Sequence, residues 1–385
     1  MVLNKDPLEI FANILNGKFF FREFTHSDNK LKQKNGDEYE LADSVIYIKN
    51  ILIIFQIKRR ENQTYDIEKE DNWYDNKVIG LAKKQIRDTL DYLDKNPIAK
   101  VINQYGYETQ IDYSKVEKVF KVIVFDNDNL SYQKQERIYD SRNSGLIHIF
   151  EISDYQDIFT TLLTPQEFIE YLEFREGLYR NHGQLINRVL ERALLGQFIL
   201  GNFEDKPNET YMLAYFTLNR EEIDIIDLIR SLSEHHVDSD SYSSITDFYA
   251  VLQEFALMNR AHFRRLSKLH KNCFEHMQKT ENSPLWNRIH FGDLDLGVLF
   301  VVTNKESIDE RRKFLEGLFL LAKYSMKVSK QIGVMYKKES GGNILIEWMY
   351  LDHEWVMDEQ IDELLSNNNP FGELKGKPEH YFDLS

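Results

Sequence analysis

The chain has 385 residues, of which 42% are hydrophobic and 13% aromatic, which excludes general disorder and suits two or three domains. Its 48 basic and 63 acidic residues give a formal net charge of −15. That balance excludes a protein coated with a basic surface for nucleic acid, but it allows an enzyme whose positive charge is confined to a cleft.

The first predicted elements alternate between helix and strand. Apolar residues at helical spacing over 6–16, with Asp6 as a cap and Pro7 in the first turn, predict a helix. The aromatic run Phe19, Phe20 and Phe21 favours a strand, and the polar residues 29–36 predict a loop.

Two strands are predicted next, over residues 39–48 and 51–57, with a tight turn at Lys49 and Asn50. The second strand is continuously apolar, which is typical of burial on both faces. After a polar loop at 61–76, apolar residues at intervals of three and four predict an amphipathic helix over 78–93.

Strands at 116–125 and 146–152 complete this part, and a helix follows near Asp154. The order of the elements predicts a mixed α/β layer: a mixed sheet flanked by helices. From Pro165 to about residue 282 the pattern is almost wholly helical, with breaks at 201–208 and 237–244.

A small α/β domain with an extended tail is predicted at the end of the chain. Its predicted elements are strands at 296–302, 332–337 and 344–351, and a helix at 308–326. We therefore predict three regions, which are residues 1–162, a helical region 163–285, and residues 286–385.

Polar residues meet at one end of the predicted hairpin. Asp43 lies near the start of the first strand, and Gln56 and Lys58 close the second. The start of one antiparallel strand lies opposite the end of the other, so we expect Asp43 and Lys58 to be neighbours. Side-chain alternation puts Gln56 and Lys58 on one face and turns Ile57 to the other.

Phosphodiester hydrolysis needs such a set of groups. The Asp43 carboxylate and the Gln56 side-chain carbonyl are the oxygen ligands that Mg²⁺ or Mn²⁺ requires, and the backbone carbonyl of Ile57 completes the set. Lys58 would orient or help deprotonate the attacking water and offset charge in the transition state. The plainer interpretation is an ordinary hairpin with polar residues at its exit.

Asp43 together with Gln56-x-Lys58 resembles the motif of the PD-(D/E)xK, or restriction-endonuclease-like, superfamily, in its variant with glutamine at the second acidic position. Ala42 stands where the name-giving proline would be. The resemblance covers about residues 1–160, and it extends to nuclease effectors of bacterial anti-phage systems, most of all the Lamassu nuclease subunits. Related effectors of cyclic-nucleotide (CBASS) immunity are a second match.

The resemblance implies Mg²⁺-dependent (or Mn²⁺-dependent) cleavage of DNA and an SMC-like ATPase or other defence-complex subunits as partners. It also implies an enzyme that its partner complex holds inactive and that release or oligomerisation activates. Because dimers let two active sites reach both strands, we expect a homo-oligomer when the enzyme is active.

Gln56 removes one negative charge from the motif, so a further acid is expected to help bind the metal. Glu23, on the strand expected before the hairpin, and Glu9, on the first helix, are the best placed, and Glu40 is next. The same loss of charge keeps open a catalytically inactive scaffold or binding subunit with a nuclease fold.

Basic and amide side chains near the motif are candidates for contacts with DNA. They are Arg59, Arg60, Lys83, Lys84 and Gln85. The plainer alternative is a solvated strand end followed by a solvated helix face.

Other short patterns in the sequence suggest further sites. Arg265 and His270, in a helical segment, loosely match the Arg-x(4–6)-His spacing of HEPN ribonucleases, which leaves a second enzymatic alternative open. For Cys273 with its neighbours His270 and His276, a packed thiol is expected rather than a metal site. For the His- and Asp-containing run 235–240 we expect a solvated loop. The absence of P-loop and G-x-G-x-x-G patterns disfavours an ATPase or kinase.

The single cysteine excludes a disulfide framework and predicts a reducing compartment, so we expect a cytoplasmic protein. The first residues do not resemble a signal peptide, and no apolar run approaches ~18 residues, so we expect no membrane span.

Overall fold

The computed structural model describes residues 6–27, 29–32, 38–62, 64–127, 136–218, 225–226, 228–229, 232, 248–279, 283–339 and 341–371. The expected breaks and loop within 235–244 and the tail beyond residue 371 lie outside the described residues.

The first helix, α1 (Pro7–Phe19), begins as predicted, with Asp6 capping its first turn and Pro7 as its first residue. The helix continues to Phe19, so the expected aromatic strand is wrong. The Phe19 ring stacks on Phe159 with the centroids 4.3 Å apart, and Phe20 is fully buried. A continuous apolar run has no period of its own, and here tertiary packing decides its conformation.

Five strands follow: β1 (Thr25–His26), β2 (Lys30–Lys32), β3 (Glu38–Glu40), β4 (Ser44–Ile48) and β5 (Ile51–Arg59). The predicted hairpin and its two-residue turn are confirmed, since β4 pairs antiparallel with β5 from Ile48 opposite Ile51. Part of the predicted loop at 29–36 is a ladder between β2 and β3. The predicted strand at 39–48 is two strands, and Asp43 lies in the break between them.

A long helical segment comes next, made of α2 (Ile67–Trp73), π-helical turns at Tyr74–Leu81 and α3 (Ala82–Lys95). It begins inside the predicted loop at 61–76, so that prediction is wrong from residue 67 onward. The start has no apolar stripe that would reveal it. It is held instead by a buried ion pair, in which the Arg60 Nε donates to the Glu70 carboxylate at 3.1 Å.

The next strands are β6 (Ile98–Ile102), β7 (Glu108–Asp112), β8 (Lys118–Asp126), β9 (Ile138–Ser141) and β10 (Gly145–Glu151). The predicted strands at 116–125 and 146–152 are confirmed as β8 and β10, whereas β6, β7 and β9 are short and were not predicted. The main sheet has the order β1-β4-β5-β8-β10-β9, with β5, β8 and β10 parallel.

Helices cover both faces of this sheet, and β5 alternates between them. Ile53 and Phe55 belong to the hydrophobic cluster on the side of α1. Leu52 and Ile54 belong to the cluster on the side of α3, with Ile86. Because side chains alternate along a strand, Gln56 and Lys58 lie on the α3 side.

The middle of the chain is helical, as predicted. Its helices are α4 (Ile152–Thr161), α5 (Pro165–His182), α6 (Glu191–Ile199), α7 (Met212–Thr217), α8 (Tyr249–Ala256) and α9 (Arg260–Gln278). Of the helices in the described part of the chain, none combines the length and apolarity that a membrane crossing requires.

The C-terminal part is a small α/β unit, also as predicted. It consists of β11 (Leu285–Phe291), β12 (Leu296–Val302), α10 (Ile308–Met326), β13 (Lys330–Lys338), β14 (Ile344–Asp352) and α11 (Glu359–Asn367). These strands form a second sheet in the order β11-β12-β13-β14. The predicted helix at 308–326 matches α10, whereas β11 and α11 were not predicted.

A buried carboxylate on α8 ties the two sheets together. Glu254 lies 2.9 Å from the ammonium of Lys49, in the β4–β5 turn, and 2.7 Å from that of Lys330, on β13. The Tyr350 hydroxyl donates to the same carboxylate at 3.2 Å. One hydrophobic cluster also runs through all three predicted regions.

Candidate functional site

Asp43 sits in the break between β3 and β4, where neighbouring side chains satisfy the backbone. The amide of Asn13, on α1, donates to the Asp43 carbonyl at 3.3 Å. The hydroxyl of Thr89, on α3, donates to the Leu41 carbonyl. Both helices therefore hold the backbone that carries Asp43, and the break keeps this residue out of the strand ladder.

The hairpin register brings the predicted residues together. Ser44 pairs with Phe55, so Asp43 lies beside Gln56 at the open end of the hairpin. The Asp43 Oδ2 accepts hydrogen bonds from the Ile57 N–H at 2.6 Å and from the Lys58 ammonium at 2.9 Å. Asp43 and Gln56 are both buried, so these contacts lie in an environment where charge interactions are strong.

The Lys58 ammonium also contacts two neutral oxygens. Its Nζ lies 3.1 Å from the Gln56 Oε1 and 2.9 Å from the Ile57 carbonyl oxygen. With Asp43, the ammonium has three oxygen acceptors, as many as it has protons to donate. The Asp43 carboxylate, the Gln56 amide oxygen and the Ile57 carbonyl, which we call the oxygen triad, therefore surround one cation.

The oxygen triad fits a hard divalent cation in its donor chemistry, because carboxylate and carbonyl oxygens are the ligands that Mg²⁺ and Mn²⁺ prefer. It carries one negative charge. Among the described residues, no group of three or more His, Cys, Asp or Glu side chains could share a metal ion. Substrate phosphate oxygens or water would have to complete the shell.

The expected helper acids lie in different places. Glu23 is in a turn rather than on a strand, and the carbonyl of its neighbour Phe24 accepts from the Tyr47 N–H. Tyr47 is four residues from Asp43, about 13 Å along an extended strand. The expected strand at 19–21 is absent, so the backbone next to Glu23 pairs with Tyr47, and Glu23 as a metal ligand stays a prediction.

Glu9 is better placed than Glu23. It lines an open cleft of about 470 Å³ together with Asn13, whose side chain reaches the Asp43 backbone. Glu40 is exposed at the end of β3. Glu9 and Glu40 as helper acids also stay predictions.

The proposed DNA contacts differ in exposure, and two of them have partners within the fold. Lys84 is exposed, and Arg59 is partly exposed at the end of β5. Arg60 is held by the buried Glu70, and the Lys83 ammonium lies 3.2 Å from the Tyr139 hydroxyl. Arg60 thus stabilises the fold in this conformation, whatever it contributes to binding.

Gln85 differs from the other DNA-contact candidates, because its Oε1 is buried and has no hydrogen-bond partner among the described residues. Its backbone carbonyl accepts from Thr89, one helical turn further on, and Thr89 also reaches the Leu41 carbonyl. Gln85 therefore faces the interior beside the break that holds Asp43.

Two side chains near the site were missed by sequence reasoning. Asn13 was missed because nothing in a helical pattern marks which polar residue faces the core. Glu151, at the end of β10, lies in the same row as Phe125 and Lys58 across the parallel strands. Burial raises the pKa of its carboxyl, and the nearby Asp154 adds to that effect. In the sequence, Glu151 could have been recognised as a candidate because it stands at the end of an apolar strand.

The residues of the ribonuclease alternative have other partners. The Arg265 guanidinium lies over the Phe291 ring, and the His270 Nδ1 is 2.7 Å from the Tyr336 hydroxyl, so both side chains contact the second sheet. Cys273 is buried, and burial raises the pKa of its thiol to about 11. These contacts are those of a packed helix.

Comparison with known proteins adds nothing to this geometry, since no protein-family model, no curated protein and no solved structure matches the chain.

Proposed function

We propose that the protein is a metal-dependent endonuclease that hydrolyses phosphodiester bonds of DNA at the oxygen triad. The observation that carries the proposal is the convergence of Asp43, Gln56 and Lys58 within hydrogen-bond distance at one end of a buried hairpin. Buried polar groups are costly, and this set is the one that such hydrolysis requires.

In this proposal Asp43, Gln56 and the Ile57 carbonyl hold a divalent cation. When bound, Mg²⁺ or Mn²⁺ would polarise the phosphate and favour ionisation of a water molecule. Lys58 would orient the attacking water and offset the negative charge that develops on the phosphate oxygens. Asn13 and Thr89 would fix the backbone around Asp43, since they bind carbonyl groups of that segment.

The arrangement of elements supports the same proposal. A leading helix, an antiparallel hairpin and then the helix with Lys83 and Lys84 follow one another, which is the order that the resemblance to restriction-endonuclease-like enzymes implies. Lys84 and Arg59 would contact phosphates outside the oxygen triad, because both have exposed surface. Lys83 would join them if it left Tyr139.

The experiment is a cleavage assay on supercoiled plasmid with Mg²⁺ or Mn²⁺. Asp43→Asn should abolish nicking, and chelation of the metal should do the same. Asp295→Asn is the matched control, because Asp295, in the turn before β12, accepts a backbone hydrogen bond from Ser329 at 3.0 Å. Equal cleavage by wild type and Asp43→Asn would refute the proposal.

A second candidate is a nuclease-fold scaffold without catalytic activity. It is favoured by the single carboxylate of the oxygen triad and by the Lys58 ammonium that already engages all three oxygens. A scaffold would bind DNA or a partner protein equally well with Asp43→Asn, and wild type would leave plasmid intact under every metal tested.

Anti-phage defence, an SMC-like ATPase partner, the homo-oligomeric active form and the cytoplasmic location stay predictions. The HEPN ribonuclease also stays a prediction, and an RNA substrate with the His270→Ala variant in the same assay tests it.

A further inference from the structure

The Lys58 ammonium occupies the position that a metal would take between the three oxygens. Its Nζ is 2.9 to 3.1 Å from the Asp43 Oδ2, the Gln56 Oε1 and the Ile57 carbonyl oxygen. A Mg²⁺ ion binds such oxygens at about 2.0–2.1 Å. Two cations cannot share one centre, so an ion that binds all three oxygens must first displace the ammonium.

The ammonium is held firmly in this position. Only 13% of the Lys58 side chain and 12% of the Asp43 side chain are exposed, so water competes weakly for either group. The Asp43 Oδ2 also accepts the Ile57 N–H at 2.6 Å, which fixes the carboxylate against β5. Displacement therefore breaks a largely buried ion pair rather than a solvated surface contact.

We infer that Lys58 is an internal competitor of the metal, an inference that rests on the proposed function of the same site. Without a metal, its ammonium closes the oxygen triad. A divalent cation that enters the triad expels the ammonium, and Lys58 then becomes available to the water and phosphate. The same exchange of cations thus loads the site with metal and releases Lys58. Before the exchange the ammonium stays bound to the oxygen triad, and this keeps the metal-free enzyme inactive.

The second carboxylate oxygen of Asp43, Oδ1, allows an alternative mode of metal binding. Oδ1 makes no hydrogen bond to any described residue. A metal that bound Oδ1 alone, with water and phosphate, would leave Lys58 in place. Removing the lysine would then change metal affinity no more than removing another nearby charge.

The test is calorimetric titration of the full chain with Mn²⁺, in the absence of DNA. Lys58→Met, which removes the ammonium but keeps a long side chain, should bind Mn²⁺ at least tenfold more tightly than wild type, equivalent to about 1.4 kcal/mol. Lys58→Arg, which keeps the charge and its donors, should bind no more tightly than wild type.

Lys83→Met is the matched control for the general effect of charge. Lys83 lies on α3, which covers the same face of the sheet, but its ammonium contacts Tyr139 rather than the oxygen triad. Its removal should change the affinity by less than about twofold, because screening weakens charge effects between separated groups. Circular dichroism of each variant checks that it is folded, and Lys58→Gln replaces Lys58→Met if that variant unfolds.

Three outcomes would overturn the inference. Unchanged or weaker Mn²⁺ binding by folded Lys58→Met would show that the ammonium does not compete. An equal gain in Mn²⁺ affinity by Lys83→Met would show that the effect comes from the loss of any nearby positive charge. No Mn²⁺ binding by any variant would also overturn it. The plasmid assay tests the proposed function separately, and metal-dependent cleavage by wild type supports that function whatever the titrations show.

Discussion

The two sheets share a local topology but differ in what lies at the ends of their strands. In the first sheet, the antiparallel pair β4–β5 leads through helices to the parallel strand β8. In the second, the antiparallel pair β11–β12 leads through α10 to the parallel strand β13. Gln56, Ile57 and Lys58 lie near the end of β5, which closes with Arg59, whereas β12 ends in Val301 and Val302, both buried.

The comparison distinguishes the residues that a hairpin needs to fold from those that a chemical reaction needs. The second sheet shows that apolar residues suffice to close such a hairpin, since Leu285 pairs with Val302 at the equivalent place. The first sheet buries a carboxylate, an amide and most of an ammonium side chain there instead. Buried polar groups cost stability unless they are well paired, and the proposed function would account for their presence at this place.

The largest expected effect is on the rate of plasmid cleavage, and it distinguishes two single variants that each remove one lysine, one from each sheet. Lys58→Met should slow plasmid cleavage about 10³-fold, because the transition state loses its positive charge. Lys337→Met, which breaks a 2.5 Å ion pair with Glu306 on the second sheet, should cleave within about threefold of wild type. Single-turnover rates compare the two variants, and similar losses in both would remove the distinction between the sheets.

The next effect concerns stability and pH. His148, on β10, is fully buried, and burial lowers its pKa to about 4 from an ordinary value of 6.5. The unfolded chain therefore binds more protons between pH 6.5 and 4, so this stabilisation is complete above pH 6.5 and is lost as the pH falls. Between pH 7 and 5 the loss is about 2 kcal/mol.

His148→Phe should remove that part of the pH dependence, because a phenyl ring does not titrate and the neighbours of His148 include the Phe120 and Phe150 rings. Urea unfolding of both proteins at pH 7 and pH 5 measures the difference. His290→Phe, on β11 of the second sheet, is the control, since His290 is not fully buried. Burial also lowers the pKa of His26 to about 4, so part of the pH dependence remains in both proteins; a His148→Phe variant that loses as much stability as wild type between pH 7 and 5 would contradict the assignment.

Replacing a buried glutamine by glutamate should favour metal binding in the first sheet and destabilise the second. Gln56→Glu places the new charge beside Lys58, 3.1 Å away, and should lower the Mg²⁺ concentration for half-maximal cleavage about tenfold, because it adds a charged ligand. Gln331→Glu buries a charge on β13 and replaces the amide that donates to the Phe319 carbonyl at 2.9 Å. It should destabilise the protein by roughly 3 kcal/mol.

Metal titrations of cleavage and urea unfolding of both variants test this contrast. If Gln56→Glu destabilised the protein as much as Gln331→Glu does, the first sheet would have no special tolerance for charge.

The smallest effect concerns DNA binding. Lys84→Ala should weaken binding a few-fold and reduce the slope of log affinity against log salt by about one, as expected for one phosphate contact. Lys313→Ala, an exposed position on α10 beside the second sheet, should leave the slope unchanged. Fluorescence anisotropy over a salt series measures both, and equal slopes in all three proteins would place the DNA elsewhere.

Much of this arrangement could be predicted from local patterns. The apolar run of β5 followed by Gln56 and Lys58 identified a buried strand with a polar end, and the antiparallel turn at Lys49 fixed its partner. The bounds of α10 followed from its periodicity. These features succeed because burial and alternation are properties of the segment itself.

The rest depends on contacts between distant segments. The start of α2 is polar and depends on the Arg60–Glu70 pair, which no periodicity reveals. The break at Asp43 depends on Asn13 and Thr89, which come from two helices. The expected strand before Glu23 is wrong because α1 continues to Phe19 and a turn follows at residues 22–24.

Mapping the metal by iron-mediated backbone cleavage tests the central claim most directly. Fe²⁺ takes the place of Mg²⁺ in oxygen-ligand sites and, with peroxide and ascorbate, cuts the chain beside the bound ion. We predict fragments that end near residues 43 and 57, suppressed by excess Mg²⁺ and absent from Asp43→Asn. Cuts confined to other segments, or cuts near residue 43 that persist in Asp43→Asn, would contradict a metal site at the end of this hairpin.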